Sequence, residues 1–142
     1  MKYATQEFYD AVAAASLKDR RWKEDARGLN ARWQNLLLDC PGGVDRYIEW
    51  DVRGAKVTSV TFQEKPAPSD FRTTPVDTSK FLGRFVAPYP CFVRLHKQEF
   101  TAMVAIGMGL YDIEGQITEV MKKIEAFDAF IDLSSSIPAE YD

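Results

Sequence analysis

Histidine is nearly absent from this chain, and cysteine is scarce: there is one His and there are two Cys in 142 residues. A structural zinc site needs four side-chain ligands, drawn mainly from Cys and His, so His96 alone is weak support for one. Cys40 and Cys91 lie far apart and form no CxxC pair, which leaves a zinc knuckle or a thioredoxin-type site unsupported. Also missing is any run of 18 apolar residues, so stable membrane insertion by a helix is not expected. The stretch Met1–Asp10 has no apolar signal core. A cytoplasmic protein with two reduced thiols is the expectation. There is no excess of positive charge either: the formal net charge is −3 and the isoelectric point about 5.2. Nucleic-acid binders usually carry a basic stripe. The one basic cluster here, Lys18–Lys23, runs straight into Glu24 and Asp25 and reads as a solvated helix face. Nucleic acid is therefore not an expected partner.

What the chain does have is ring-bearing bulk. Apolar residues make up 46% and aromatics 13%, with nine Phe, against 27% charged residues, so whole-chain disorder is excluded. A chain of this length forms one domain and buries roughly 68–70% of its unfolded surface without metal or disulfide staples. Residues 1–142 are accordingly read as a single domain: N-terminal helices over 1–40, a sheet with covering helices over 41–133, and a mobile tail over 134–142.

Periodicity predicts the elements. Phe8, Val12 and Ala15 predict a helix over 5–17. Trp22, Ala26, Leu29, Trp33, Leu36 and Leu37 share a stripe that predicts a second helix over 20–38, ended by Cys40-Pro41-Gly42-Gly43. Ile48, Trp50 and Val52 alternate with Tyr47, Glu49 and Asp51, the period of a half-buried strand. Arg53-Gly54-Ala55 is a tight connection to a return strand over Lys56–Phe62. Asp70–Thr74 reads as a third strand with Phe71 and Thr73 inward, closed by Pro75. Asp77 or Thr78 then caps a short helix carrying Phe81, Leu82, Phe85 and Val86. A helix over 92–106, a strand over Leu110–Glu114 and a long apolar helix over 116–133 complete the chain. Hairpin-linked strands with segregated helices indicate an α+β fold.

Signs of chemistry are few. His96 sits in a predicted helix and reads as exposed or half-buried. Asp112 and Glu114 share one strand face, where charge is ordinary, although facing carboxylates can tune each other for acid–base work. Cys91 reads as a buried structural thiol. Gly107-Met108-Gly109 lacks the strand before and helix after that a dinucleotide loop requires. No nucleophile elbow or Walker motif occurs, and no cofactor or metal is expected. The remaining signal is apolar, with Met103, Met108 and Met121 as adaptable groups. Periodicity alone does not separate a filled core from a hollow one.

Three segments resemble the sterol carrier protein-2 family between about Gly42 and Phe130. They are the hairpin Tyr47–Phe62, the run Ser69-Asp70-Phe71-Arg72-Thr73-Thr74 followed by Asp77-Thr78-Ser79-Lys80-Phe81, and Gly109-Leu110-Tyr111-Asp112-Ile113-Glu114-Gly115 leading into the last helix. Their order and spacing carry the likeness. One departure is a longer link at Ala87–His96, which would reshape the mouth of a cavity.

The resemblance implies a mostly antiparallel sheet of about five strands covered by helices around an apolar tunnel. It implies non-catalytic binding and intracellular carriage or presentation of a fatty acid, fatty acyl-CoA, sterol or phospholipid. Carried over by position, the implied ligand-binding residues are Phe81, Phe85, Phe100, Met103, Val104, Met108, Ile117, Val120, Met121 and Ile124. Each also has an ordinary reading as core. Two rivals stand beside the carrier: an accessory or interaction subunit of a lipid or aromatic-metabolism enzyme, and a small cavity enzyme with His96 or Asp112 as base. In the first rival the core is filled, Pro88–Lys97 is the contact stretch, and the partner is another protein or a second copy of the chain.

Overall fold

Alternating side chains form the centre of the molecule. A computed structural model describes residues 1–142. Strand β2 (Val44–Arg53) is joined to β3 (Lys56–Pro66) by the two-residue turn Gly54-Ala55. Both turn residues have positive φ, at 56° and 63°, the twist that a two-residue hairpin selects. Ile48, Trp50 and Val52 are buried, as the alternation requires.

The segment before this hairpin differs from its predicted form. Helix α1 spans Gln6–Ser16, but α2 covers only Arg20–Asp25, and Asn30–Cys40 is a strand, β1. The chain turns at Gly28, whose φ of +74° is costly for a residue with a Cβ. Beyond it the apolar residues imitate a helical stripe because β1 is buried on both faces. Ala31, Trp33 and Leu37 join the main core, while Leu36 joins a small cluster with Tyr47 and Phe71.

Two further expectations are corrected. Asp70–Thr74 is not a strand: Asp70–Arg72 forms one 3-10 turn, and Thr73 is exposed. The predicted Phe81–Val86 helix is instead strand β4 (Gly83–Pro88), preceded by a turn in which Asp77 accepts hydrogen bonds from the Ser79 amide and hydroxyl. Pro88 ends β4 and opens helix α3 (Tyr89–His96), with Pro90 in its first turn where a missing N–H costs nothing. The predicted 92–106 helix breaks after α3 and resumes as α4 (Ala102–Gly107), capped by the Thr101 hydroxyl. Strand β5 spans Asp112–Gly115. The last helix is two, α5 (Ile117–Lys122) and α6 (Ile124–Ser135), meeting at Lys123.

The sheet has five strands in the order β3-β2-β1-β4-β5. All pairs are antiparallel except β1 with β4. The α+β architecture with a mostly antiparallel five-stranded sheet therefore stands, although two of its strands are not the ones periodicity marked. Helices cover one face, and the chain between β3 and β4 runs over part of the other. At Gly83 a Cβ would lie 2.7 Å from the Glu114 carbonyl oxygen and 2.9 Å from Val120 Cγ2, so glycine permits α5 to close on the sheet. Residues 134–142 are bound to the rest of the chain. The Tyr3 amide donates to the Glu140 carbonyl and the Glu140 amide to the Met1 carbonyl, each at 2.9 Å.

Candidate ligand cavity

The helix-covered face is built of rings. The Trp33 ring centroid lies 5.1 Å from those of both Phe127 and Phe130, edge to face, and Trp50 lies 4.8 Å from Phe130. Helix α6 supplies the Phe rings because 127 and 130 are three apart and share a face. Helix α1 supplies Phe8 and Tyr9, and Phe92 of α3 packs on Tyr111 at 5.4 Å. Such edge-to-face contacts suit ring quadrupoles and leave small gaps at their corners.

Two of those gaps adjoin. The larger, about 50 Å³, is bordered by Tyr9, Trp50, Leu95, His96, Tyr111 and Phe130 among others. The smaller, about 20 Å³, is bordered by Trp33, Phe85, Phe127 and Tyr111. Asn35, Tyr111, Phe130 and Ile131 border both, so a few side chains divide one seam between α6 and the sheet. A pocket for a drug-sized ligand usually measures about 300–1,000 Å³. The seam as it stands holds a few waters, not an acyl chain.

Polar groups at the seam are sparse. The Asn35 Oδ1 accepts from Trp50 Nε1 at 3.0 Å, and the Tyr3 hydroxyl donates to the Phe92 carbonyl at 3.1 Å. Burial pushes the Tyr9 and Tyr111 hydroxyls above the ordinary phenol range, so both stay neutral donors. His96 is buried, not exposed or half-buried. Its Nε2 faces the Ile137 carbonyl at 2.9 Å, and its Nδ1 meets the Tyr141 hydroxyl. A carbonyl only accepts, so Nε2 carries the proton and, in the neutral ring, Nδ1 accepts from Tyr141. Both ring nitrogens are engaged in holding the chain end, which leaves no free lone pair for a base. Asp112 is exposed on β5, and no group of three or more His, Cys, Asp or Glu is placed to hold a metal ion. Cys91 is buried, and desolvation pushes its thiol up to about 11.

The ten residues implied by resemblance fall in several places. Phe85 borders the smaller void, and Val120 is fully buried against Gly83. Phe81 is buried beneath the Arg32 guanidinium, 4.6 Å from its ring. Phe100 is half-buried under Arg94, and Met121 and Ile124 are half-buried on the two last helices. Met103, Val104, Met108 and Ile117 are exposed. On α4, Ala102 and Ala105 are buried and Ile106 packs against the core, which leaves Met103 and Val104 on the solvent side of the helix. None of the ten borders the larger void. The residues that do are spread from Tyr3 to Ser134, and their one visible signal was aromatic content on α1 and β2. In Pro88–Lys97, Tyr89, Cys91, Phe92, Leu95 and His96 are buried, while Pro88, Pro90, Arg94 and Lys97 are exposed.

No protein-family model and no curated protein matches the sequence. Solved structures do. A crystal structure of sterol carrier protein 2 superposes with a TM-score of 0.77 at 10% identity, covering 96% of this chain and 100% of that one. A protein from Thermus thermophilus, described as conserved, hypothetical and possibly a sterol carrier protein, gives 0.77 at 12% identity over 99% and 92%. The apo form of sterol carrier protein 2 from Yarrowia lipolytica gives 0.56 at 11% identity over 94% and 93%. The chain has the sterol carrier protein-2 fold.

Proposed function

We propose that this chain binds a hydrophobic small molecule, of fatty-acid, acyl-CoA, sterol or phospholipid type, at the seam between α6 and the sheet, and carries or presents it without chemistry. The observation behind the reading is the pair of adjoining apolar voids separated by side chains such as Tyr111 and Phe130. Rotation of those rings merges the voids into one channel. Each methylene placed there contributes about 0.8 kcal/mol, so an acyl chain can offset the cost of displacing two rings. The neutral Tyr9 and Tyr111 hydroxyls and the Asn35 amide are the groups available to a polar head. Two unpaired buried thiols favour a reducing, cytoplasmic setting. No helix is long and apolar enough to cross a membrane.

Trp33 borders one void and Trp50 the other, so ligand entry reports itself in tryptophan fluorescence. Titration with saturated fatty acids of increasing length should give saturable quenching, and native mass spectrometry should show one molecule per chain. A clean apo mass with no quenching at any length refutes the carrier. It moves the assignment to the second reading, an accessory subunit with a filled core. That reading is favoured by the small volume of the voids and by the exposed Met103, Val104 and Met108, which suit a protein partner or a second copy.

A further inference from the structure

The face of the sheet opposite the seam carries a second concavity. Side chains alternate along a strand, so Gln34 points away from its neighbours Trp33 and Asn35. The register sets Gln34 between Glu49 of β2 and Arg84 of β4. The chain after β3 lies over this region: Phe71 stacks on Tyr47 with centroids 4.7 Å apart and planes 8° apart, and the Thr74 carbonyl accepts from Arg84 Nη2 at 2.9 Å. Between sheet and overlying chain is a groove of about 270 Å³, bordered by Gln34, Tyr47, Glu49, Lys65, Asp70 and Arg84 among others.

Two acceptors in this groove lack what they need. Gln34 is only 5% exposed, and its Oε1 is buried with no hydrogen-bond donor. Buried carbonyl oxygens are almost always bonded, and an orphan costs stability that leucine would not. Glu49 is half-buried and accepts the Tyr47 hydroxyl at 2.8 Å. Of the cations on this face, Arg84 pairs with Glu114 at 2.8 Å, Lys65 with Asp70 at 2.9 Å, and Arg32 lies 3.7 Å from Asp51. Glu49 is left as a carboxylate without a cationic partner, directly across the ladder from an oxygen without a donor.

We propose that this groove is a binding site for a small cationic N–H donor, a singly charged ammonium or guanidinium compound held jointly by Glu49 and Gln34 Oε1. Opposed side chains of an antiparallel pair stand about 4.5–5.5 Å apart at Cβ, a span that a planar guanidinium fork bridges with two N–H groups. The charge-assisted bond goes to Glu49 and the neutral one to Gln34. The stacked Tyr47–Phe71 pair forms a flat wall for the ligand's carbon stem. The site stands independently of the seam, from which the whole sheet separates it.

The test is a 15N NMR titration of the full chain with methylguanidinium and methylammonium, with acetate as the probe of opposite charge. Saturable shifts of the Gln34 side-chain amide and the Tyr47 and Glu49 backbone amides are expected with the cations. Affinity should drop about tenfold or more in Glu49→Gln and in Gln34→Leu, while fatty-acid titrations at the seam are the same in both variants and the parent. Either variant that folds suffices. Shifts that rise linearly without saturation, saturable binding indifferent to the substitutions, or saturation by acetate instead would each overturn the proposal.

Discussion

The two faces of one sheet are held by different physics. Toward the helices, Trp33, Trp50, Phe85, Phe127 and Phe130 interlock, and stability comes from apolar area removed from water. Toward the overlying chain there is only the Leu36–Tyr47–Phe71 cluster. The rest of that face is ionic or polar: Arg32 near Asp51, Arg84 on Glu114, Arg72 on Asp45, and the orphan Gln34. The first face tolerates disorder of packing poorly and misplaced charge not at all. The second fixes where a crossing chain lies through directional bonds, at small net stability. Substitutions on the two faces should therefore differ in size, in pH dependence and, at one position, in sign.

The largest effect belongs to Trp33→Ala. The ring is 1% exposed and meets Trp50, Phe127 and Phe130, so its loss opens a cavity that the rigid sheet cannot close. A loss of about 3–5 kcal/mol is expected, read from the urea midpoint. A loss below about 1 kcal/mol would mean that the seam is already loose and the two-face contrast is mistaken.

On the other face the largest effect should come from Asp45→Asn. This carboxylate is fully buried and accepts from Arg72, from the Ser69 amide and hydroxyl, and from the Asp39 amide. The Arg72 guanidinium, with Ser69, holds the carboxyl far below the usual range. A cost of about 2–3 kcal/mol is expected near neutrality. The folded-state pKa is depressed, so this stabilisation is complete above the unfolded value of about 4 and is lost as pH falls below it. The gap between parent and variant should thus narrow in acid, whereas the Trp33→Ala gap should show no such dependence. A gap unchanged from pH 7 to pH 3 would remove the ionic account of this face.

The same contrast explains what was legible in the sequence. The hairpin was readable because each of its strands has one half-exposed face, and alternation survives there as a pattern. Strand β1 lost that pattern by being buried on both sides. Ala31, Trp33, Leu36 and Leu37 then fall at helical spacing by coincidence, and the one local sign against a helix was Gly28. Strand β4 misleads in the same way: Phe81, Leu82, Phe85 and Val86 mimic helix spacing, and the Arg84 between them is buried because Glu114 and Thr74 lie in reach. Both are central strands, identified by partners distant in sequence. The seam was illegible for a similar reason. It is assembled from α1, β1, β2, α3 and α6, and no local window contains two of its walls. The outer groove gave no signal either, since Gln34 becomes unusual only once Glu49 and Arg84 stand beside it.

Gly83→Ala probes where the faces meet. The added methyl group would press on the Glu114 carbonyl and Val120 at under 3 Å, so β5 or α5 must shift. Overpacking of this kind costs about 1–3 kcal/mol. Because α5 leads into α6, the shift should also change fatty-acid quenching of Trp33. Loss of stability with unaltered quenching would place α5 outside any motion that opens the seam.

The smallest expected effect has the opposite sign. Gln34→Leu removes a buried oxygen that has no donor and puts a somewhat smaller apolar side chain beside Leu36 and Val86. If the face were optimised for stability alone, leucine would already be there, and its introduction should raise the urea midpoint by about 0.5–1 kcal/mol. A stabilised variant that no longer binds methylguanidinium would show that the outer face gives up stability for a ligand. A destabilised variant would mean that Gln34 Oε1 is already satisfied in solution by an ordered water linked to Glu49 or Arg84. The polar face would then be a structural network throughout, and the contrast between the two faces would be one of bonding without a difference in purpose.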